Sequence, residues 1–459
     1  MLARLGDRIS RVFRALAPDP FVIAILLTLV TLVLVLVRTP MGFGDAIGAW
    51  SGPNGLWKFL SFGMQMCLIL VTGHALASSP PMDRLLEWLS GLPRTPFGAV
   101  VVVCVVATLL GVVNWGLGLI GGALMARRVG VSMARRGVRV HYPLLAAGGY
   151  TGMMVWHGGF SGTAPLKVTT LEEISSVLPD GVTMDPISLT QTLLSPLNLV
   201  ITGGLLVLTP ILMGFMHPKG ERARIEDASM FLQVGKREEK DQSGTTRSGF
   251  VRVLEDTPIV SLLLAGMIGW WAWGYYLPSE GASGAMSLTP NTVNLTMLMV
   301  GLVLHGSPMR YARAIEDAAR GCAGIILQFP LYAGIMGMMH ESGLTEQLAE
   351  GIARLGNETT LPVFTFLSAG LVNMFVPSGG GQWGVQGPIV VEGALEAGVA
   401  VPKMVMAMSY GDQITNMLQP FWALPLLAVT GVRARDIVGY TSVLMVVASV
   451  WVMLALVVM

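Results

Sequence analysis

Asp412 is the residue whose type and place most demand a chemical role. From Met404 to Val432 it is the one charged side chain in an otherwise apolar stretch. A carboxylate at membrane depth is costly and by default functional, so it would carry a proton or help hold sodium. The plainer alternative is a helix cap that settles broken backbone. His157 has a similar setting, directly before GGFSGT at 158–163. Its imidazole would titrate near neutral pH, or it packs as a hydrogen-bonded residue.

Around these two residues polar groups interrupt apolar sequence twice: Trp156, His157, Ser161 and Thr163 in the first half, and Gly411, Asp412, Gln413, Thr415, Asn416 and Gln419 in the second. Each reads as a break in a helix. A discontinuous helix offers N–H groups with partial positive charge at one half-helix start and bare carbonyls at the other end, which suit an anion and a cation. Two further interruptions, Asn114–Trp115–Gly116 and Asn373 followed by PSGGG at 377–381, offer the same features. One cavity lined by Asn114, Ser161, Thr163, Asn373, Ser378 and Asn416 would then hold a small anion and a coupling cation. Lys167 follows the first break, but its ammonium is expected to snorkel to the outer interface. Gln65 and Gln328 are read as helix-to-helix hydrogen bonders. Cys67, Cys104 and Cys322 lie in apolar runs without paired spacing and are read as packing residues. GxSG at 159–162 matches an intramembrane nucleophile motif, yet the same pattern recurs at 281–284, so it carries little weight.

The elements that must position these residues are membrane helices. Only 12% of the 459 residues are charged and 53% are hydrophobic, against about 25% charged in soluble proteins. That composition excludes a soluble globular enzyme. No P-loop, HExxH or dinucleotide fingerprint is present. The net charge of +1 sets no basic domain apart, so no nucleic acid is expected as partner, and no cofactor beyond Na+ or H+ as coupling ion.

Residues 1–20 put arginines on one side and Leu, Ile, Val and Phe on the other, predicting a cytoplasmic amphipathic helix. Apolar segments then recur to the C-terminus, predicting an all-α polytopic protein with about nine transmembrane helices. Segments 97–126 and 361–391 are read as re-entrant hairpins, since irregular backbone at membrane depth is tolerated only beside protein or water. Of the 29 Lys and Arg residues, all but Arg38, Lys58, Lys167, Arg354 and Lys403 fall in segments placed inside by a cytoplasmic N-terminus. The positive-inside rule thus puts the C-terminus outside.

The halves also repeat. At an offset near 260 residues, Gln65 aligns with Gln328, Asn114 with Asn373, Tyr150 with Tyr410 and Pro165 with Pro425. This gives repeat 1 over 21–215, a cytoplasmic linker over 216–256, a linking helix over 257–277 and repeat 2 over 291–459. The repeats would be inverted, a signature of secondary transporters with a midplane site.

The stretches FGMQMCLILVTGHALASS (62–79), NWGLGL (114–119), GGFSG (158–162), NTVNL (291–295), FVPSGGGQW (375–383), QGP (386–388) and QPFWALP (419–425) resemble, in order, segments of the bacterial short-chain fatty acid transporter (AtoE) family. That family belongs with the ion transporter superfamily, which implies two inverted repeats, two hairpins, an elevator movement and a homodimer in the bacterial inner membrane. Carried onto this sequence, the hairpin tips fall at Asn114, Trp115 and Gly116 and at Pro377, Ser378, Gly379, Gly380 and Gly381. The broken helices fall at 158–163, with Ser161, Gly162 and Thr163, and at 412–416, with Asp412, Gln413 and Asn416. Sodium is implied near Asn114 and Asn373. Val113-Asn114-Trp115 and Val372-Asn373-Met374 depart from the Ser-Asn-Thr tips of dicarboxylate carriers. A small monocarboxylate such as butyrate or acetoacetate would need one anion contact plus an apolar wall, supplied by Trp115, Trp383 and Phe421. Another small organic anion, such as a dicarboxylate, is the alternative substrate, and a passive anion channel the alternative mode.

Overall fold

A computed structural model describes residues 20–58, 60–169, 171–175, 178, 182–218, 248–277, 290–344, 347, 356–377 and 379–459. The expected amphipathic helix at 1–20, most of the linker at 216–256 and Ser378 lie outside them. The described residues form helices and connections, with no strand. Six of their helices are long and apolar enough to cross a membrane: Phe21–Arg38, Pro96–Val113, Trp115–Arg135, Pro196–Phe215, Pro308–Glu341 and Ala434–Val458. Shorter apolar helices cover Gly63–Leu76, Asn291–His305 and Leu361–Asn373.

Local sequence sets the starts and stops. Thr95-Pro96, Ser195-Pro196 and Ser307-Pro308 each put a hydroxyl at the cap and proline in the first turn. The hydroxyls accept from the N–H groups of Gly98, Asn198 and Arg310, while proline lacks an N–H there to satisfy. Gly431 ends the helix Pro420–Thr430 at φ +72°, a left-handed conformation that glycine adopts without cost. Pro80–Gly91 and Pro308–Ala319, in segments read from sequence as polar loops, are amphipathic helices.

The first expected hairpin is longer than 97–126. Its arms, Pro96–Val113 and Trp115–Arg135, turn at Asn114 and lie antiparallel, with Gly118 against Gly111 and Gly122 against Ala107. Both arms have the length of a full crossing. The second hairpin joins Leu361–Asn373 to Gly379–Glu396. Its arms meet through polar side chains, Gln382 Nε2 donating to the Ala369 carbonyl and Gln386 Nε2 to Ser368 Oγ.

Both expected helix breaks are present, one of them displaced. The first helix, Tyr142–Tyr150, tightens into a 3-10 turn at Thr151–Met154 and stops, resuming only at Thr163–Lys167. The second runs unbroken through Asp412 and Gln413 to Thr415, then tightens at Asn416–Leu418 before Pro420–Thr430. The break placed at 412–416 thus belongs at 416–419. Pro420, which cannot continue the preceding ladder of hydrogen bonds, moves it there.

The same packing occurs in both halves. In the first, Cys104 faces Gly148 and Gly111 faces Gly152, so hairpin arm and broken helix run parallel. In the second, Thr365 faces Met404 and Gly370 faces Thr415, again parallel. A Cβ at Gly152 would lie 2.6 Å from the Ala107 carbonyl oxygen, and one at Gly411 would strike the Phe366 carbonyl oxygen. These four positions repeat at the offset near 260 read from the sequence. Small residues here let backbones approach, which in lipid is a main source of helix association.

Gly152→Ala and Gly411→Ala should each cost about 1–3 kcal/mol through overpacking. Thermal unfolding in detergent should show both losses, whereas Gly203→Ala, with open space at its Cβ, should show none. A loss at only one of the two would mean that the packings are not equivalent.

Candidate functional site

The first break is held in place by the second half of the chain. Gln413, on the helix Val401–Thr415, accepts with Oε1 from the N–H groups of His157 and Gly158, each at 3.0 Å. Its neighbour Asp412 brings Oδ2 to 2.9 Å from His157 Nδ1. The His157 and Asp412 side chains are 0% and 1% exposed. At that burial an unpaired carboxylate would be untenable, so the pairing is required. On the other side of the ring, Nε2 accepts from the Ala164 N–H at 3.1 Å. With Nε2 an acceptor, Nδ1 is the nitrogen left to face the carboxylate.

The tip of the second hairpin reaches this pair. A Cβ on Gly379 would lie 3.3 Å from Asp412 Oδ2, 3.0 Å from Thr163 Oγ1 and 2.9 Å from Trp156 Cη2. Gly379 starts an 18-residue helix, whose positive end therefore lies beside the carboxylate. Gly380 lies next to the Thr163 methyl group, and Gly381 is half-buried in the same turn. Gly162 packs on the His157 carbonyl, where a side chain would not fit.

Asn373, at the end of the first arm, clamps the end of the Asp412 helix. Its Nδ2 donates to the Asp412 carbonyl at 2.8 Å, Thr415 Oγ1 at 2.9 Å and Asn416 Oδ1 at 3.0 Å. Gln419 Nε2 in turn donates to the Asn373 carbonyl. Tyr150, from the other half, donates to the Asn416 carbonyl at 2.8 Å. Asn373 Oδ1, Asn416 Nδ2, Gln413 Nε2 and Gln419 Oε1 are buried with no protein partner. Buried polar groups are nearly always hydrogen-bonded, so four orphans in one region mark a place where water or ligand completes the set.

The first hairpin tip is differently disposed. Asn114 Oδ1 accepts from the N–H groups of Gly116 and Leu117, and Ser161 Oγ accepts from the Trp115 N–H at 3.0 Å. The start of the helix Trp115–Arg135 is therefore capped by the chain itself. Ser161 and His157 also face different partners, so the GxSG motif does not assemble a serine–histidine pair.

A chain of three tryptophans runs from the acid–imidazole pair. The Trp156 ring stacks on His157 at 4.4 Å, and Trp422 lies 6.4 Å from Trp156 and 5.2 Å from Trp115. Trp383, expected in the same wall, is buried in another apolar cluster with Ala164 and Ala369. The side chain of Phe421 lies outside the described residues. Lys167 is half-buried at the end of the short helix after the break. Gln65 bonds Asn291 Oδ1 at 2.8 Å and its carbonyl accepts from Asn294, so it ties helices together as expected.

Asn198 escaped the sequence reading. Its Nδ2 donates to the carbonyls of Gly158 and Leu193, while Oδ1 accepts from Thr202 and Tyr410. The one signal was an asparagine in the first turn of an otherwise apolar helix. Trp422 was likewise missed, because its contacts cross between halves.

Compared with known proteins, residues 1–459 match the profile of a family described as short chain fatty acid transporter. A candidate short-chain fatty acid transporter of Escherichia coli (strain K12) is 41% identical over 447 residues, covering 96% of each chain. One of Haemophilus influenzae (strain ATCC 51907 / DSM 11121 / KW20 / Rd) is 37% identical over 446 residues, again 96% of each. Among solved structures, the YdaH transporter of Alcanivorax borkumensis, described as having an unusual topology, aligns over 96% of this chain and 97% of its own. Its TM-score is 0.43 and its identity 16%, a likeness that carries no argument about fold or function.

Gln413→Leu leaves two backbone N–H groups of the break without an acceptor and should cost about 1–3 kcal/mol. Asn198→Leu strips partners from four groups and should cost more. Thermal unfolding of both variants in one detergent checks the order.

Proposed function

The chain belongs to the short chain fatty acid transporter family, and from that premise we propose that it is a cation-coupled secondary carrier. It moves short-chain monocarboxylates such as butyrate or acetoacetate across the bacterial inner membrane by alternating access. The family is one of transporters, not enzymes, and the helices identify a multi-pass membrane protein. The observation that carries the reading further is the buried His157–Asp412 pair, which joins the two halves beside the second hairpin tip.

A carrier needs a site whose halves can separate toward either side, and this one is built from both. Trp156, Thr163 and the start of the helix at Gly379 supply an apolar wall, a hydroxyl and a positive helix end. A monocarboxylate presents one carboxylate and a short apolar tail, which those features match. The matched packings correspond to two inverted repeats, 21–215 and 291–459, whose hairpin tips meet the breaks near the midplane. The N-terminus lies inside and the C-terminus outside, as the Lys and Arg placement requires. By the superfamily resemblance the repeats move as an elevator within a homodimer.

Labelled acetoacetate or butyrate uptake into proteoliposomes, corrected for protein-free vesicles, should saturate and concentrate under an imposed ion gradient. Asp412→Asn should abolish concentrative uptake. Flux that neither saturates nor concentrates would indicate a channel. Competition by dicarboxylates but not by monocarboxylates would reassign the substrate.

A further inference from the structure

We propose that the coupling cation is a proton and that the His157–Asp412 pair binds it, together with the substrate anion. The inference rests on the transport reading above and names the ion which that reading leaves open.

The geometry fixes where the proton goes. His157 Nε2 already accepts from the Ala164 N–H, and Nδ1 lies 2.9 Å from Asp412 Oδ2. A proton arriving at Nε2 would have to displace a first-turn N–H group of the half-helix, that of Ala164. It therefore adds to the Asp412 carboxylate, while His157 keeps its own proton on Nδ1. The pair passes from one negative charge to none, and on release the proton returns to water on the opposite side.

Charge then links proton to substrate. An anion bound at the Gly379 turn, beside Asp412, would place two carboxylates together in a buried site. Like charges that close cannot both stay ionised at low dielectric. The anion thus favours protonation of the pair, and by thermodynamic reciprocity protonation favours the anion by the same factor. Anion and proton cross together with no net charge.

Among the described residues of the elements around the pair, the other charged groups stand away from it. The helix Gly379–Glu396 carries Glu392 and Glu396, both exposed and about 20 and about 25 Å of helical rise from Gly379. Arg127, Arg128 and Arg135 stand at the far end of Trp115–Arg135, and Lys167 ends the helix Thr163–Lys167 away from the break. Asp436, at the start of Ala434–Val458, pairs with Arg433, and Arg435 lies beside it in sequence. Pro196–Phe215 and Leu361–Asn373 contain no Asp, Glu, Lys, Arg or His. Tyr150 and Tyr410 donate to the Asn416 carbonyl and to Asn198.

Isothermal titration of the purified full chain with acetoacetate, in buffers of different ionisation enthalpy, counts protons taken up on binding. About one proton per bound anion is expected, with affinity falling about tenfold per unit rise in pH where uptake is complete. Asp412→Asn should abolish the uptake and flatten the pH dependence, and His157→Gln should displace the pH range over which uptake occurs; the second variant serves if the first does not fold. A merely structural pair would lower the unfolding temperature of the variants and leave the proton count intact, which would overturn the proposal. So would binding that requires sodium and takes up no proton. Absence of binding by acetoacetate and butyrate alike would overturn the transport reading itself, and this inference with it.

Discussion

A buried carboxyl group is the constraint around which this structure is arranged. Asp412 lies on an intact helix with its carboxylate out of water, in a region where an unpaired charge costs several kcal/mol at least. His157 Nδ1 answers it, and His157 is in turn fixed by the Ala164 N–H on its far side and by Gln413 at its backbone. The first break can keep its irregular backbone because these partners come from the other half. Neither half could hold its part of the site alone: the break needs Gln413, and Asp412 needs the imidazole.

Close backbone packing makes the meeting possible. Gly111 against Gly152, and Gly370 and Phe366 against Gly411, bring each hairpin arm to within backbone distance of its broken helix. Around that packing buried tyrosines lock one half to the other: Tyr150 reaches the Asn416 carbonyl, and Tyr410 reaches Asn198, which itself holds the Gly158 carbonyl. The half-satisfied amides of Asn373, Gln413, Asn416 and Gln419, each with one unpartnered atom, lie inside this frame. A rigid frame around incompletely satisfied polar groups suits a site that must bind and release, since filling it alters hydrogen bonding more than it alters packing.

The two hairpins do not play equal parts. The first has glycine-to-glycine contact between its arms and a tip whose N–H groups are capped by Asn114 and Ser161. The second joins its arms by glutamine side chains and sets Gly379 against Thr163, Trp156 and Asp412. Two segments with the same apolar-polar-apolar pattern thus differ in what their tips face. The bare backbone at Gly379 and Gly380 lets the second tip come closest to the carboxylate.

The sequence by itself determined the all-helical membrane class, since period, length and scarcity of charge are local properties. It also determined the turn at Asn114 and the interruption at 158–163, because glycine and proline act on the chain where they stand. The spacing of pairs such as Asn114 and Asn373 was legible too, since it recurs at a fixed distance. Only the tertiary structure decided which of these residues meet. That Asp412 faces His157, that Trp422 rather than Trp383 meets Trp156, and that Asn198 serves the first break all depend on contacts between residues far apart in sequence. It also decided where the second helix ends, at Asn416 rather than Asp412, and that the amides of Asn114 and Asn373 do different work. Long-range hydrogen bonds and side-chain stacking fix these choices, and they leave no trace in local spacing.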